Sequence, residues 1–152
     1  MNHKTFAHGS AKRVFTMVFN LFYKSTATQH FTQGELDELL MIAREKNRKN
    51  GITGMLLYVE GSFVQLLEGE ENSVRNTFAV ILNDTRHKNF HQIVETTSND
   101  RHFPEWFMGF RWMSKEDLSR IEKHENSEIK THFTASLPYK VIKLLSLDHW
   151  RM

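Results

Sequence analysis

Apolar and polar positions along this chain recur with two different periods, and each change of period marks a new element. From Met17 to Ser25 the apolar side chains alternate, with Phe19, Leu21 and Tyr23 on one side, which predicts a β-strand. At Thr32 or Gln33 the period lengthens, and Leu36, Leu39, Leu40 and Ala43 recur at helical spacing. Acidic Glu35, Asp37 and Glu38 come early and basic Arg44, Lys46, Arg48 and Lys49 late, as a helix dipole favours, and Asn50-Gly51 supplies the stop. Ile52 to Val59 and Ser62 to Leu67 read as two strands joined by the two-residue turn Glu60-Gly61, with glycine supplying the positive φ. Glu68-Gly69-Glu70-Glu71 leads into a second helix with an apolar stripe of Val74, Phe78, Ile81 and Leu82, ended by Asn83-Asp84. Two further strands are predicted near Gln92 to Thr97 and Trp106 to Met113.

The order is that of an α+β fold, a ferredoxin-like βαββαββ sheet with both helices on one face. Right-handed crossovers place the first and third strands side by side at the centre of such a sheet. Period two puts Gln65 on the side of Phe63 and Leu67, so this adjacency brings Tyr23 and Gln65 together on the helix-covered face. A buried amide without a partner costs roughly 1 to 3 kcal/mol, so the fold or a ligand must supply one. Three regions follow: a polar arm over 1–16, the sheet domain over 17–113 and a helical extension over 114–152. In the extension Ser114-Lys115-Glu116-Asp117 is a helix start, and Tyr139 to Leu147 forms a second amphipathic segment, expected to cover the open sheet face.

Composition narrows the function. The chain has 152 residues, 39% of them hydrophobic and 12% aromatic, enough for one well-cored domain. A net charge of +2 gives no field that calls for nucleic acid. Absence of cysteine fits a reducing cytoplasm and excludes disulfides, thiolate catalysis and flavin attachment through a thiol. Lys4, Lys12 and Arg13 before the first apolar run imitate a signal peptide, but Asn20 and the β-branched residues suit a buried strand, and no stretch has membrane-spanning length.

Five blocks then carry a resemblance. Tyr23-Lys24-Ser25, the run from Glu45 through Asn47 to Tyr58, Phe63-Val64-Gln65-Leu66-Leu67-Glu68-Gly69, Asp84-Thr85-Arg86-His87, and Arg101 to Phe110 closely resemble a BLUF domain, a blue-light sensor using flavin. The resemblance covers about residues 17–113 and implies the same ferredoxin-like fold, with the flavin ring between the two helices. It implies Tyr23 as photochemical electron and proton donor, and Gln65 as the amide between its hydroxyl and the flavin N5 and C4 carbonyl. Asn47 would hold the flavin edge, Leu39 and Ile81 would flank the ring, and Asp84, Arg86 and His87 would meet the ribityl and phosphate portion. Trp106 and Met108, read on one face of the last strand, contend in the family for the place beside the glutamine. The family often has an arginine three positions before the tyrosine, where this chain has Asn20. FAD is the implied cofactor, with FMN and riboflavin as alternatives.

The residues read without the family leave other roles open. Arg86 and His87 also suit the end of the second helix, and Trp106 with Met108 also reads as plain core. His87 and His91 lack the further ligands a metal site needs. The resemblance implies a light sensor that forms a homo-oligomer, as small members commonly do. The extension over 114–152 is too short for a catalytic domain, so no enzyme activity is expected and the signal is expected to pass through the last strand and tail to a separate protein, while charge and apolar length call for neither nucleic acid nor membrane. The competing readings are a ligand- or RNA-binding module on the same fold, which lacks an exposed basic and aromatic platform, and a flavin redox enzyme, for which no dinucleotide glycine fingerprint appears.

Overall fold

The computed structural model describes residues 16–117. The first strand, β1 (Val18–Ala27), is followed by helix α1 (Gln33–Asn50), the hairpin β2 (Thr53–Val59) and β3 (Ser62–Gly69), helix α2 (Glu71–Leu82), and the strands β4 (His87–Ser98) and β5 (Gly109–Met113). The sheet order is β4-β1-β3-β2-β5, with β5 parallel to β2 and all other pairs antiparallel. This is the ferredoxin-like βαββαββ arrangement, with its fifth strand beside β2. The expected arm, and the extension beyond Asp117, lie outside the described residues, but the helix start at Ser114 is formed. There the Ser114 hydroxyl accepts from Asp117 N–H at 3.1 Å and Asp117 accepts from Ser114 N–H at 3.0 Å.

Local signals explain the helix ends. Thr32 caps α1 in a complete capping box: its hydroxyl accepts from Glu35 N–H at 3.2 Å, and Glu35 Oε2 accepts from Thr32 N–H at 2.8 Å. Gly51 ends α1 in the left-handed conformation at φ 65°. Glu70 caps α2 through the N–H groups of Asn72 and Ser73. The β2–β3 turn takes positive φ at both residues, 44° at Glu60 as well as 80° at Gly61, because a two-residue turn of this hand is what matches the strand twist.

Period two sorts the sheet into two cores. Phe19, Leu21 and Tyr23 of β1, Leu56 and Tyr58 of β2, and Phe63 and Leu67 of β3 pack with Leu36, Leu40, Val74 and Phe78 of the helices. Phe22, Met55, Leu57, Val59, Val64 and Leu66 point the other way and meet Phe103 and Met113. Asn20 belongs to this second face, where its Nδ2 donates to Ser98 Oγ at 2.9 Å, tying β1 to β4 away from the helices.

Two strands differ from expectation. β4 begins at His87, five residues early, because among the described strands it is an edge strand paired with β1 alone and tolerates polar Lys88, Asn89 and His91, with register shifts between Phe22 and Lys24 and between Lys24 and Thr26 of β1. β5 begins at Gly109, so Trp106 and Met108 precede the strand and do not share a face of it.

Candidate functional site

The register of β1 on β3 makes Tyr23 and Gln65 direct cross-strand partners. Both are buried, at 1% and 7% exposure, and face the helices. Tyr23 Oη donates to Gln65 Oε1, and Gln65 Nε2 donates to Met108 Sδ at 3.4 Å. A phenol, an amide and a thioether thus form one chain along the sheet. Burial, with the nearby Asp84 charge adding to it, raises the Tyr23 phenol above its ordinary pKa and so favours the protonated form. Phe78 and Phe90 crowd its ring at 5.1 and 5.5 Å between centroids.

Above this chain lies a cavity of about 340 Å³ between α1 and α2, with Tyr23, Gln65 and Met108 on its floor. Leu39 of α1 and Ile81 of α2, both half-buried, line it, as do Asn47, Asp84, Arg86 and His87. Apolar side chains from both helices and the sheet, with polar groups converging among them, suit a planar heteroaromatic ring that carries a polar chain.

Asn47 is 4% exposed, and one N–H of its Nδ2 donates to the Phe107 carbonyl at 2.7 Å, so its oxygen and its second N–H are left to meet a ligand. Asp84 and Arg86 engage each other at the rim at 2.6 Å, which holds the Asp84 carboxyl below its usual range. His87 has both ring nitrogens in use, Nδ1 on Ser25 Oγ at 2.8 Å and Nε2 on the Ile81 carbonyl at 3.0 Å. A carbonyl can only accept, so Nε2 carries the proton and the Ser25 hydroxyl donates to Nδ1. Burial lowers the His87 pKa, which favours this neutral form. His87 therefore buttresses the wall beside Tyr23 with its ring.

Trp106 and Met108 part company. Met108 is 1% exposed and sits on the helix side with Gln65, whereas Trp106 belongs to the opposite face, stacked on Phe103 at 5.6 Å between centroids and 23° between planes. The Trp106 ring lies so close over Gly109 that an added Cβ there would come within 2.3 Å of it. The sequence reading of the two on one strand face is thus corrected: outside a strand, two residues' separation does not impose a common side.

The sequence reading passed over Ile42, Ala43, Lys46 and Asn50 on α1, and Ser73, Asn76, Thr77 and Val80 on α2, all of which line the cavity. For Ile42, Ala43, Asn50 and Thr77 the signal was a spacing of three or four from Leu39, Asn47 or Ile81, and Lys46, Ser73, Asn76 and Val80 follow at the same spacing from those or from one another.

The family model for BLUF domains, sensors of blue-light using FAD, matches residues 18–109. The photoactivated adenylate cyclase subunit beta of Euglena gracilis is 35% identical over 92 residues, 60% of this chain and 11% of that protein. The blue light- and temperature-regulated antirepressor BluF of Escherichia coli K12 is 32% identical over 78 residues, 51% of this chain and 19% of that protein. Among solved structures, the photo-activated state of BlsA superposes with a TM-score of 0.71 at 25% identity, covering 90% of this chain and 100% of that one. The chain belongs to the BLUF family of blue-light flavin sensors. It spans only about a tenth to a fifth of these two curated relatives, so their cyclase and antirepressor activities are theirs.

Proposed function

We propose that this protein senses blue light through FAD held in the cleft between α1 and α2, with Tyr23 and Gln65 as its photochemical pair. The observation that carries the proposal is the buried chain from Tyr23 Oη through the Gln65 amide to Met108, on the floor of a ring-sized cavity. Flavin, when bound, supplies blue absorption, an excited-state electron acceptor, and N5 and C4 carbonyl atoms that accept hydrogen bonds.

The residues' part follows from their surroundings. A buried phenol that loses an electron becomes strongly acidic, and Gln65 Oε1 is the acceptor already in contact with its proton. The electron and proton leave Tyr23 together and both return to it, so the cycle has no net redox product. In between, the Gln65 amide exchanges donor and acceptor positions by rotation or tautomerisation. Its Nε2–H then leaves Met108 Sδ, which ties the photochemical event to the segment just before β5. Leu39 and Ile81 would flank the ring, the Asn47 amide would meet its edge, and Lys46, Arg86 and the polar side chains of α2, which line the same cleft, would hold the ribityl phosphate chain.

The output of a sensor built this way passes from Met108 into β5 and the residues after 113, and on to a separate protein. The cyclase and antirepressor relatives support an effector reached from the light-sensing domain, without identifying this chain's partner.

The test is the absorption spectrum of the flavin-loaded protein in the dark, after blue light and during recovery. A small reversible red shift that Tyr23→Phe abolishes is expected. A Tyr23→Phe protein that shifts and recovers normally overturns the donor assignment, and a flavin-loaded wild type that never responds leaves the ferredoxin-like binding module as the better reading.

A further inference from the structure

Met108 reaches Gln65 from a segment that belongs to no strand, so something else must fix its position. Three consecutive carbonyls do so: Trp106 O accepts from the Gly54 backbone N–H at 3.0 Å, Phe107 O from Asn47 Nδ2 at 2.7 Å, and Met108 O from Arg44 Nε at 2.8 Å. Arg44 and Asn47 stand three apart on α1 and therefore share a face. Asn47 also lines the cavity, whereas Arg44 lies outside it. Of the three donors, Arg44 is the charged one, and a guanidinium on a carbonyl makes a stronger bond than a neutral donor. Arg44 is exposed overall, so no core packing demands an arginine at this point of α1.

We infer that Arg44 is a positioning residue for the photosensory site: by holding the Met108 carbonyl it keeps Met108 Sδ against Gln65, and it sets how fast the light-induced arrangement reverts. This rests on the photoreceptor reading above. The Arg44 bond belongs to the arrangement in which Met108 accepts from Gln65. When the amide reorients and Met108 is released, that bond is strained or lost, and regaining it is part of what drives the return. Weakening it removes driving force from recovery without touching the flavin.

The experiment uses the full chain loaded with FAD, as wild type, Arg44→Ala, Arg44→Lys and Arg48→Ala. Arg48 is one turn further along α1 and, among the described residues, bonds only to exposed Glu45, so its variant reports any general effect of removing a helix charge. Arg44→Ala is expected to keep the dark spectrum, flavin content and size of the red shift, and to slow dark recovery roughly three- to tenfold, part of the worth of one charge-assisted hydrogen bond at a solvent-exposed side chain. Arg44→Lys, which restores a cationic donor, should recover within about twofold of wild type, and Arg48→Ala should match wild type. With methionine labelled by ¹³C at its carbonyl, the light-minus-dark infrared spectrum of wild type should show a labelled band that moves to higher wavenumber in the light, as a carbonyl losing a donor does, and this feature should be lost in Arg44→Ala. Recovery and labelled band both unchanged in Arg44→Ala, or recovery equally slowed in Arg48→Ala, overturns the inference. A wild type without any reversible shift overturns the photoreceptor reading itself, a distinguishable failure.

Discussion

At the scale of single residues, Gln65 and Glu68 are buried polar groups on opposite faces of the same strand. On the helix face Gln65 is satisfied by Tyr23 and Met108. On the other face, three positions along the same strand, Glu68 is wholly buried and holds the start of the β4–β5 connection. Its oxygens accept from the backbone N–H groups of His102 and Phe103 at 2.8 and 2.7 Å and from the Thr53 hydroxyl at 3.0 Å. Burial alone would raise its pKa, but the bonds from His102, Phe103 and Thr53 outweigh it and hold the carboxyl below its ordinary 4.5. A carboxyl with a lowered folded-state pKa contributes stability that is fully present above 4.5 and is lost as pH falls through the folded value. Urea midpoints measured from pH 7 downward should therefore fall on the acid side of 4.5, and more steeply in wild type than in Glu68→Ala. At pH 7 Glu68→Ala should cost roughly 3 kcal/mol, because it strands two buried N–H groups. A loss under about 1 kcal/mol would mean that water replaces the carboxylate freely.

Among the elements, α1 carries an unusual share of the work. One face lines the cavity with Leu39, Ala43, Lys46 and Asn47, and Arg44 with Asn47 grips the segment before β5. Its capping box is therefore coupled to the site only through helix stability. Thr32→Ala should lower stability by about 1 kcal/mol and the melting temperature by several degrees while leaving the dark flavin spectrum in place. A displaced spectrum would show that the first turn of α1 also shapes the cavity. Most of these elements were legible in the sequence because capping residues, glycine stops and apolar periods agreed. The exceptions have causes. The first residues of β4 are polar because an edge strand need not bury them, and the opening of β5 was misplaced because the apolar run from Trp106 includes three residues whose carbonyls are taken by α1 and β2.

At the scale of the whole molecule, two helices stand apart over a central strand pair, and a ligand binding between them ties the layers together. Any ligand that binds only the folded form raises stability, by about 2.7 kcal/mol at a hundredfold excess over its Kd. Melting the apoprotein with FAD, FMN and riboflavin at matched concentrations should give stabilisation in all three and most with FAD. Equal effects of the three would assign the binding energy to the ring and none to the phosphate end. No helix among the described residues is long and apolar enough to cross a membrane.

The sequence by itself determined the family, the element order and the facing of Tyr23 and Gln65, because period two and right-handed crossovers leave little freedom in which strand sides meet. Only the tertiary structure decided that Met108 rather than Trp106 stands beside Gln65, that Arg44 grips the Met108 carbonyl, and that His87 spends both nitrogens on the protein. Those outcomes depend on irregular backbone, where no period links neighbouring side chains. There, the side a residue takes is set by which buried carbonyls find donors and by the space left over a glycine.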